Sequence, residues 1–359
     1  MADGGWRMAD GRREMVDRVT RPPWAGRSIL LTGALIFAGA PQPQLAAGAA
    51  SGKQQAAGSV SADTFWSQSL GIRKRVMIWL PPSYAAQPQK RYPVAFYLHG
   101  AAGDETNWLN AGRLARTLDS LVAAGAPEMI VVMPDGDDGF YTTWNYLGDW
   151  PACRRNRPPN AEPADSYCVP WPHYDEYIAR DLVAFVDQRY RTLADRRHRG
   201  VAGLSMGGYG AVALAVTYPD VFSAAASHSG VLSPARGGGR APVPRGRFDL
   251  DSLRASYPAW LSALQEPVFG KDSASWAARD PAMLVARLLR ARPELMPGLY
   301  VDCGTEDFLL PQSRAFRDAL GASGGQLVYR EYAGSHSWDY WRRHAAESAA
   351  WLAARLTVP

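Results

Sequence analysis

From Thr64 onward the chain alternates short apolar runs with longer stretches whose apolar residues recur every three or four positions. The short runs are Arg75–Leu80, Val94–Leu98, Met129–Met133, Val201–Leu204, Ala224–Ser227, Leu299–Cys303 and Leu327–Tyr332. Several are apolar without alternation, as parallel strands buried on both faces are. Within Tyr174–Tyr190, the residues Ile178, Leu182, Phe185 and Val186 share one helical face. Within Tyr340–Leu356, Trp341, Ala345, Ala349, Leu352 and Leu356 do the same. Strand and helix in turn predict an α/β fold: a mostly parallel central sheet with helices on both faces, forming a single domain over residues 63–359. Two stretches break the pattern and read as loop insertions, 146–172 and Leu232–Arg247, the second rich in Gly, Pro and Arg.

The pattern before Thr64 is different. Residues 1–27 are polar and carry six Arg against four acids. Ser28–Ala40 is apolar and uncharged, and small residues follow in LAAGAASG. That order is the one a secretory signal peptide has, so residues 1–49 are expected to direct export to a secreted or periplasmic location. A run of about a dozen apolar residues falls short of the ~20 that cross a bilayer, although an uncleaved signal anchor is the alternative. Residues 50–62 read as a Gly/Ala/Ser/Gln linker. Export permits a disulfide, and Cys153 and Cys168, which flank a Pro- and Arg-rich stretch, are the expected pair. Cys303 sits in an apolar run and reads as a buried free thiol. No CxxC or HxxxH-type spacing occurs, so neither a metal nor a cofactor is expected.

Composition narrows the function classes. The 47% hydrophobic content excludes a disordered chain, and three Cys are too few for a disulfide scaffold. The net charge of +5 points at first toward nucleic acid, but 35 of the 39 basic residues are Arg and residues 1–49 carry two of the net positive charges. The remaining +3 is scattered. Its one cluster, Arg189, Arg191, Arg196, Arg197 and Arg199, has no interleaved aromatics and reads as a solvated loop. The sequence leaves the oligomeric state open.

Candidate chemistry starts at Gly203-Leu204-Ser205-Met206-Gly207, a G-x-S-x-G between an apolar run and a helix-like segment. A serine on a sharp strand-to-helix turn exposes its hydroxyl above the sheet, and glycines on either side remove Cβ atoms that would clash. The overlapping Gly208–Ala213 resembles a dinucleotide fingerprint, but three residues separate it from the strand and its nearest acid, Asp220, is too close. When such a serine sits on an open α/β sheet, the acid and then the base follow it along the chain. Of six His, His99, His173 and His198 precede Ser205, His228 follows too soon, and His344 lies in the last helical pattern. His336, in the loop AGSHSW, remains as general base. For the acid, Asp302 falls inside a strand, while Asp307 and its neighbour Glu306 follow the Gly304 turn; Asp307 is favoured. His99-Gly100-Ala101 ends an early strand in a turn. The N–H groups of Ala101 and Met206 are the candidate oxyanion donors, with His99 ordering the loop. Trp108, Tyr141, Trp144 and Trp338 are candidates for lining an acyl or alcohol pocket.

Together the motifs LPPSY (80–84), YLHGAAG (97–103), NW (107–108), MPDGDDGFYTTW (133–144), GLSMGGYGA (203–211), CGTEDF (303–308) and GSHSWDYW (334–341) resemble the esterase-D-like putative esterase family of α/β-hydrolases. That group includes tributyrin-type and feruloyl esterases, S-formylglutathione hydrolases and secreted mycolyltransferases. The resemblance covers about Thr64 to Leu356. It implies an α/β-hydrolase fold, a Ser205–Asp307–His336 triad, oxyanion donors at Ala101 and Met206, and a carboxylesterase acting through an acyl-enzyme on small-molecule or lipid and sugar esters. The alternative it implies is an acyltransferase of the mycolyltransferase kind. The mycolyltransferase-like subgroup carries Glu as its acid and a different oxyanion loop, so Asp307 and HGAAG favour simple esterases.

Overall fold

The computed structural model describes residues 57–145, 150–155, 168–237 and 248–357. The proposed signal peptide, residues 1–49, therefore lies outside the described residues. Eight strands form one sheet: β1 (Ser59–Ser67), β2 (Ile72–Leu80), β3 (Val94–Leu98), β4 (Ile130–Pro134), β5 (Arg199–Leu204), β6 (Ala224–His228), β7 (Gly298–Gly304) and β8 (Val328–Tyr332). Their spatial order is β1-β2-β4-β3-β5-β6-β7-β8. β1 and β2 pair antiparallel with each other, β2 pairs antiparallel with β4, and the other pairs are parallel. The described helices of seven residues or more are α1 (Leu114–Ala123), α2 (Val183–Arg189), α3 (Met206–Thr217), α4 (Leu250–Ser256), α5 (Ala259–Phe269), α6 (Ser273–Arg279), α7 (Pro281–Ala291), α8 (Leu310–Ala322) and α9 (Trp338–Leu356). A π-helical turn, Tyr177–Leu182, leads into α2 within the segment expected to be helical.

Alternation along each strand divides the core into two layers. Val94, Phe96 and Leu98 of β3 join the layer that contains α3, whereas Ala95 and Tyr97 join the layer that contains α1 and α9. α3 is buried at every residue from Met206 to Val216, so it is apolar all round rather than amphipathic. On the opposite layer, Ala345, Ala349 and Ala353 of α9 face Ala202, Ala224 and Ala226 of the sheet. The small side chains bring helix and sheet close. A Cβ on Gly200 would lie 3.0 Å from Leu352 Cδ2. Each fully buried Leu contributes about 1.5–3 kcal/mol by leaving water.

One boundary differs from the sequence expectation. β1 starts at Ser59, inside the stretch 50–62 read as linker. It is an edge strand, exposed over most of its length, with only Phe65 and Ser67 buried, so its sequence carries little apolar signal. The insertion 146–172 is described only in part; it contains the helical turn Trp150–Arg155 and a disulfide joining Cys153 to Cys168, 15 residues apart. Of the second insertion, residues 238–247 lie outside the described residues. Cys303 is a buried free thiol.

α7, which packs on α3, starts at a buried carboxylate. Asp280 accepts the Ala282 N–H at 2.9 Å, and only 8% of the residue is exposed. Burial outweighs the cap bonds and pushes its carboxyl from 3.8 up to about 6. The folded state therefore binds the proton more tightly than the unfolded state. The associated stability is present at acid pH and is lost as pH rises through about 6. Asn keeps an acceptor for the cap without the charge. Asp280→Asn is expected to melt above the wild type at pH 8, with the gap closing at pH 4, as thermal denaturation at the two pH values will show.

Candidate active site

β5 ends at Leu204 and α3 begins at Met206, so Ser205 makes the whole turn between them. It does so at φ 54° and ψ −116°, a conformation that costs a non-glycine residue about 1–3 kcal/mol. The turn is tight enough to exclude side chains beside it. A Cβ on Gly203 would lie 2.3 Å from Gly207 O, and one on Gly207 would lie 2.3 Å from Leu98 O. Ser205 is tied down by its N–H to His228 O (2.9 Å) and by the Tyr209 N–H to its own carbonyl (3.0 Å). Met206, the first residue of α3, has an N–H with no intrahelical acceptor, at the positive end of the helix dipole.

Two loops meet beside this turn. The Thr305 N–H bonds Tyr332 O and the Glu306 N–H bonds Gly334 O, extending the β7–β8 pairing into both loops. Gly304 permits that approach, since a Cβ there would lie 2.2 Å from Gly334 O. The result is a line of three side chains. Asp307 Oδ2 is 2.8 Å from His336 Nδ1, and His336 Nε2 is 2.9 Å from Ser205 Oγ. Asp307 is buried and its other oxygen accepts the Leu309 N–H at 2.8 Å. A carboxylate can only accept here, so Nδ1 carries the proton and Nε2 is left to accept from the serine hydroxyl. The imidazole lies between the rings of Phe308 (4.8 Å) and Trp341 (4.9 Å, edge-on). Glu306 is exposed, so burial separates it from its neighbour Asp307.

The third loop carries the candidate oxyanion donor Ala101. A Cβ on Gly100 would lie 3.4 Å from Ser205 Cβ, which sets this turn directly against the serine. His99 braces it from below. The Gly136 N–H donates to His99 Nε2 at 2.8 Å, so the ring's proton is on Nδ1, which donates to Gly100 O at 2.8 Å. Burial lowers the pKa of His99, against the pull of Asp135, in keeping with this neutral tautomer. Asp138 accepts the Ala102 N–H at 2.7 Å, where Ala102 has φ 58°. Beneath lies Lys74, fully buried, with Asp135 at 2.6 Å and Asp137 at 2.7 Å. Burial alone would lower the lysine's pKa, but the two carboxylates outweigh it and raise it. This ionic brace went unrecognised in the sequence, although MPDGDDG held its carboxylates. The flanking rings Phe308 and Trp341 also went unsingled there.

The four aromatic candidates divide. Trp108 and Tyr141 are core residues, 1% and 0% exposed, and neither side chain touches Ser205, Asp307 or His336 in a hydrogen bond or ring contact. Trp108 donates its indole N–H to Leu98 O, and Tyr141 donates its hydroxyl to His99 O. Both therefore support the candidate oxyanion loop from behind. Trp144 and Trp338 are half-buried; Trp144 bonds Gly139 O and stacks on Tyr174, while Trp338 meets Trp108 and Trp341 edge-on. A separate cleft of 260 Å³ on the flank of α3, reached by Thr143, Asp175, Thr217 and Arg279, is lined by none of Ser205, Asp307 and His336. Among the described residues no group of three or more His, Cys, Asp or Glu is placed to hold a metal, and no helix is long and apolar enough to cross a membrane.

The model of a family described as putative esterase matches residues 67–352. The chain belongs to the putative esterase family. It is a carboxylic ester hydrolase on an α/β-hydrolase fold. An acetyl esterase of Caldicellulosiruptor saccharolyticus is 25% identical over 298 residues, covering 80% of this chain and 96% of that one. A solved ferulic acid esterase superimposes with TM-score 0.56 at 25% identity, covering 83% of this chain and 98% of the other. A diacylglycerol acyltransferase/mycolyltransferase, Ag85B of Mycobacterium avium, is 27% identical over 229 residues, covering 59% of this chain and 61% of that one. In this esterase, Gly207→Ala is expected to push the candidate oxyanion turn away at Leu98 O and His99 O. Turnover of p-nitrophenyl acetate should fall at least about 100-fold, the scale of a lost oxyanion donor. Circular dichroism will separate this from unfolding.

Proposed function

We propose that the chain is an exported serine carboxylesterase that works through an acyl-enzyme, with Ser205 as nucleophile, His336 as general base and acid, and Asp307 fixing the imidazole. The observation that carries this reading is the contact line from Asp307 through His336 to Ser205, at 2.8 and 2.9 Å. Ser205 Oγ attacks the ester carbonyl carbon while its proton passes to His336 Nε2. The carbonyl oxygen becomes an oxyanion facing the N–H groups of Ala101 and Met206. As the tetrahedral intermediate collapses, Nε2 gives the proton to the departing alkoxide, leaving an acyl-serine and an alcohol. Water then repeats the sequence, losing a proton to Nε2 and releasing the acid and free Ser205. Acetyl and feruloyl esters are the proposed substrates, on the strength of the acetyl esterase and ferulic acid esterase likenesses. Export is supported by the n-region, apolar run and small residues within 1–49, and by the Cys153–Cys168 disulfide, which an oxidising compartment maintains.

A second reading has the acyl group passed to a sugar or lipid alcohol; the Ag85B likeness favours it. The two share every step up to the acyl-enzyme. The test is hydrolysis of p-nitrophenyl acetate, p-nitrophenyl butyrate and methyl ferulate by wild type and Ser205→Ala, with product analysis in the presence of added sugars and alcohols. Ser205→Ala should lose about 10⁴-fold or more in kcat. Equal rates in the two proteins would overturn the serine mechanism. A transfer ester exceeding free acid would replace hydrolysis by transfer.

A further inference from the structure

We propose that a sealed polar cluster, His228 and Asp302 with Tyr340 and Ser348, pins α9 at one axial position on the sheet and thereby sets the reach from His336 to Ser205. The proposal rests on the triad reading above. His336 stands two residues before Trp338, where α9 begins, with Ser337 as the helix cap. The position of α9 along its own axis therefore bears on where the imidazole sits, together with the Gly334 and Asp307 contacts on the other side of the loop.

The apolar contacts of α9 do not fix that position by themselves. Ala345, Ala349 and Ala353 share a core layer with Ala202, Ala224 and Ala226, and Leu352 and Leu356 reach toward Gly200. Apolar burial of this kind is favourable but non-directional. The directional contacts are polar. Ser348 Oγ lies 2.8 Å from His228 Nε2, and the Tyr340 hydroxyl donates to Asp302 Oδ1 at 3.1 Å. The Trp341 indole N–H donates to Ser229 Oγ at 3.2 Å. His228 Nδ1 lies 2.7 Å from Asp302 Oδ2, though not aligned as a hydrogen bond. These three hydrogen-bond contacts hold α9 at 340, 341 and 348, about two turns apart, against the C-terminal parts of β6 and β7.

The cluster also lies beside the serine turn. Leu204, His228 and Asp302 are register neighbours across β5, β6 and β7, so it sits one residue before Ser205. His228 O accepts the Ser205 N–H, and Asp302 O accepts the Ser229 N–H at 2.8 Å. Ser348, His228 and Asp302 repeat the serine–histidine–aspartate chain of contacts, yet all three are 0% exposed, so no ester can reach them. Their role is positioning. Buried polar groups like these are expensive to leave unmatched, which makes a displaced α9 costly and the observed position distinct.

The test removes two hydroxyls and little else, in Tyr340→Phe, Ser348→Ala and the double variant. The quantities measured are kcat and KM for p-nitrophenyl acetate per site titrated with a fluorophosphonate, together with Tm. Ser205→Ala is assayed alongside. The double variant is expected to label to full stoichiometry, with kcat down 10–100-fold and KM within twofold, because a misplacement of about 1 Å costs up to about 100-fold in rate. A kcat per labelled site within twofold of wild type overturns the proposal, whatever the change in Tm, since the cluster would then only stabilise the fold. If the double variant does not fold, Tyr340→Phe alone is judged by the same criteria. Activity that survives Ser205→Ala overturns the triad reading itself. Activity that depends on Ser205 but ignores the double variant overturns the pin alone.

Discussion

The site depends on a backbone constraint at one residue. Ser205 must adopt φ 54° with its strand and helix folded almost onto each other. That geometry is unfavourable locally and persists because the surroundings over-determine it. β6 supplies a carbonyl from His228, β3 supplies a wall at Leu98 and His99, and Gly203 and Gly207 leave room for both. Ser229, one residue past the end of β6, is also left-handed at φ 48°. Strain therefore gathers at the C-terminal edge of the sheet, where parallel strands end together and loops converge. The central strands β3 to β7 are buried on both faces, and their packing holds the strained edge in place.

Three histidines at this edge show how environment divides labour among identical side chains. His336 is partly exposed, with a buried carboxylate on one nitrogen and the serine hydroxyl on the other. It keeps a route to solvent and substrate. His99 is buried between a backbone donor and a backbone acceptor, which fixes one neutral tautomer and makes it a strut. His228 is buried against Asp302 and Ser348 and connects strand to helix. Burial and partners, not the imidazole, decide which ring suits proton transfer and which holds a loop.

Much of this was legible in the chain because it is local or ordered. Seven strands stood out as short runs, and β3 to β7 among them are buried on both faces, where strands need no polar positions. Ser205, His336 and Asp307 could be selected because chain order removes the other histidines, and the structure brings the three side chains together. Glu306 and Asp307 could not be separated by position alone; a hydrogen bond from Glu306 N–H to Gly334 O and the turn after Gly304 decide which carboxylate faces inward. β1 escaped notice because an exposed edge strand with two buried residues carries the composition of a linker. Trp108 and Tyr141 looked like pocket residues because their motifs flank the site. Only the packing shows that they sit behind the oxyanion loop. The pairing of Lys74 with Asp135 and Asp137 spans about sixty residues of chain, and no spacing rule reports such a contact.

In the proposed mechanism, hydrolysis and transfer share the same acyl-serine and the same imidazole, so nothing in the Ser205–His336–Asp307 line distinguishes them. The difference lies in whether water or a bound alcohol occupies the space over His336 Nε2 when the leaving group departs. On the chain's own residues that space is bordered by Phe308 and Trp341 against the ring, with Trp338 beside Trp341. These aromatics stand on the loop after β7 and the first turn of α9, the segments that also carry Asp307 and His336. Any change that makes room for an acceptor alcohol there also moves the base. In the proposed mechanism, acceptor choice and base placement are therefore linked through the segments that carry these aromatic rings.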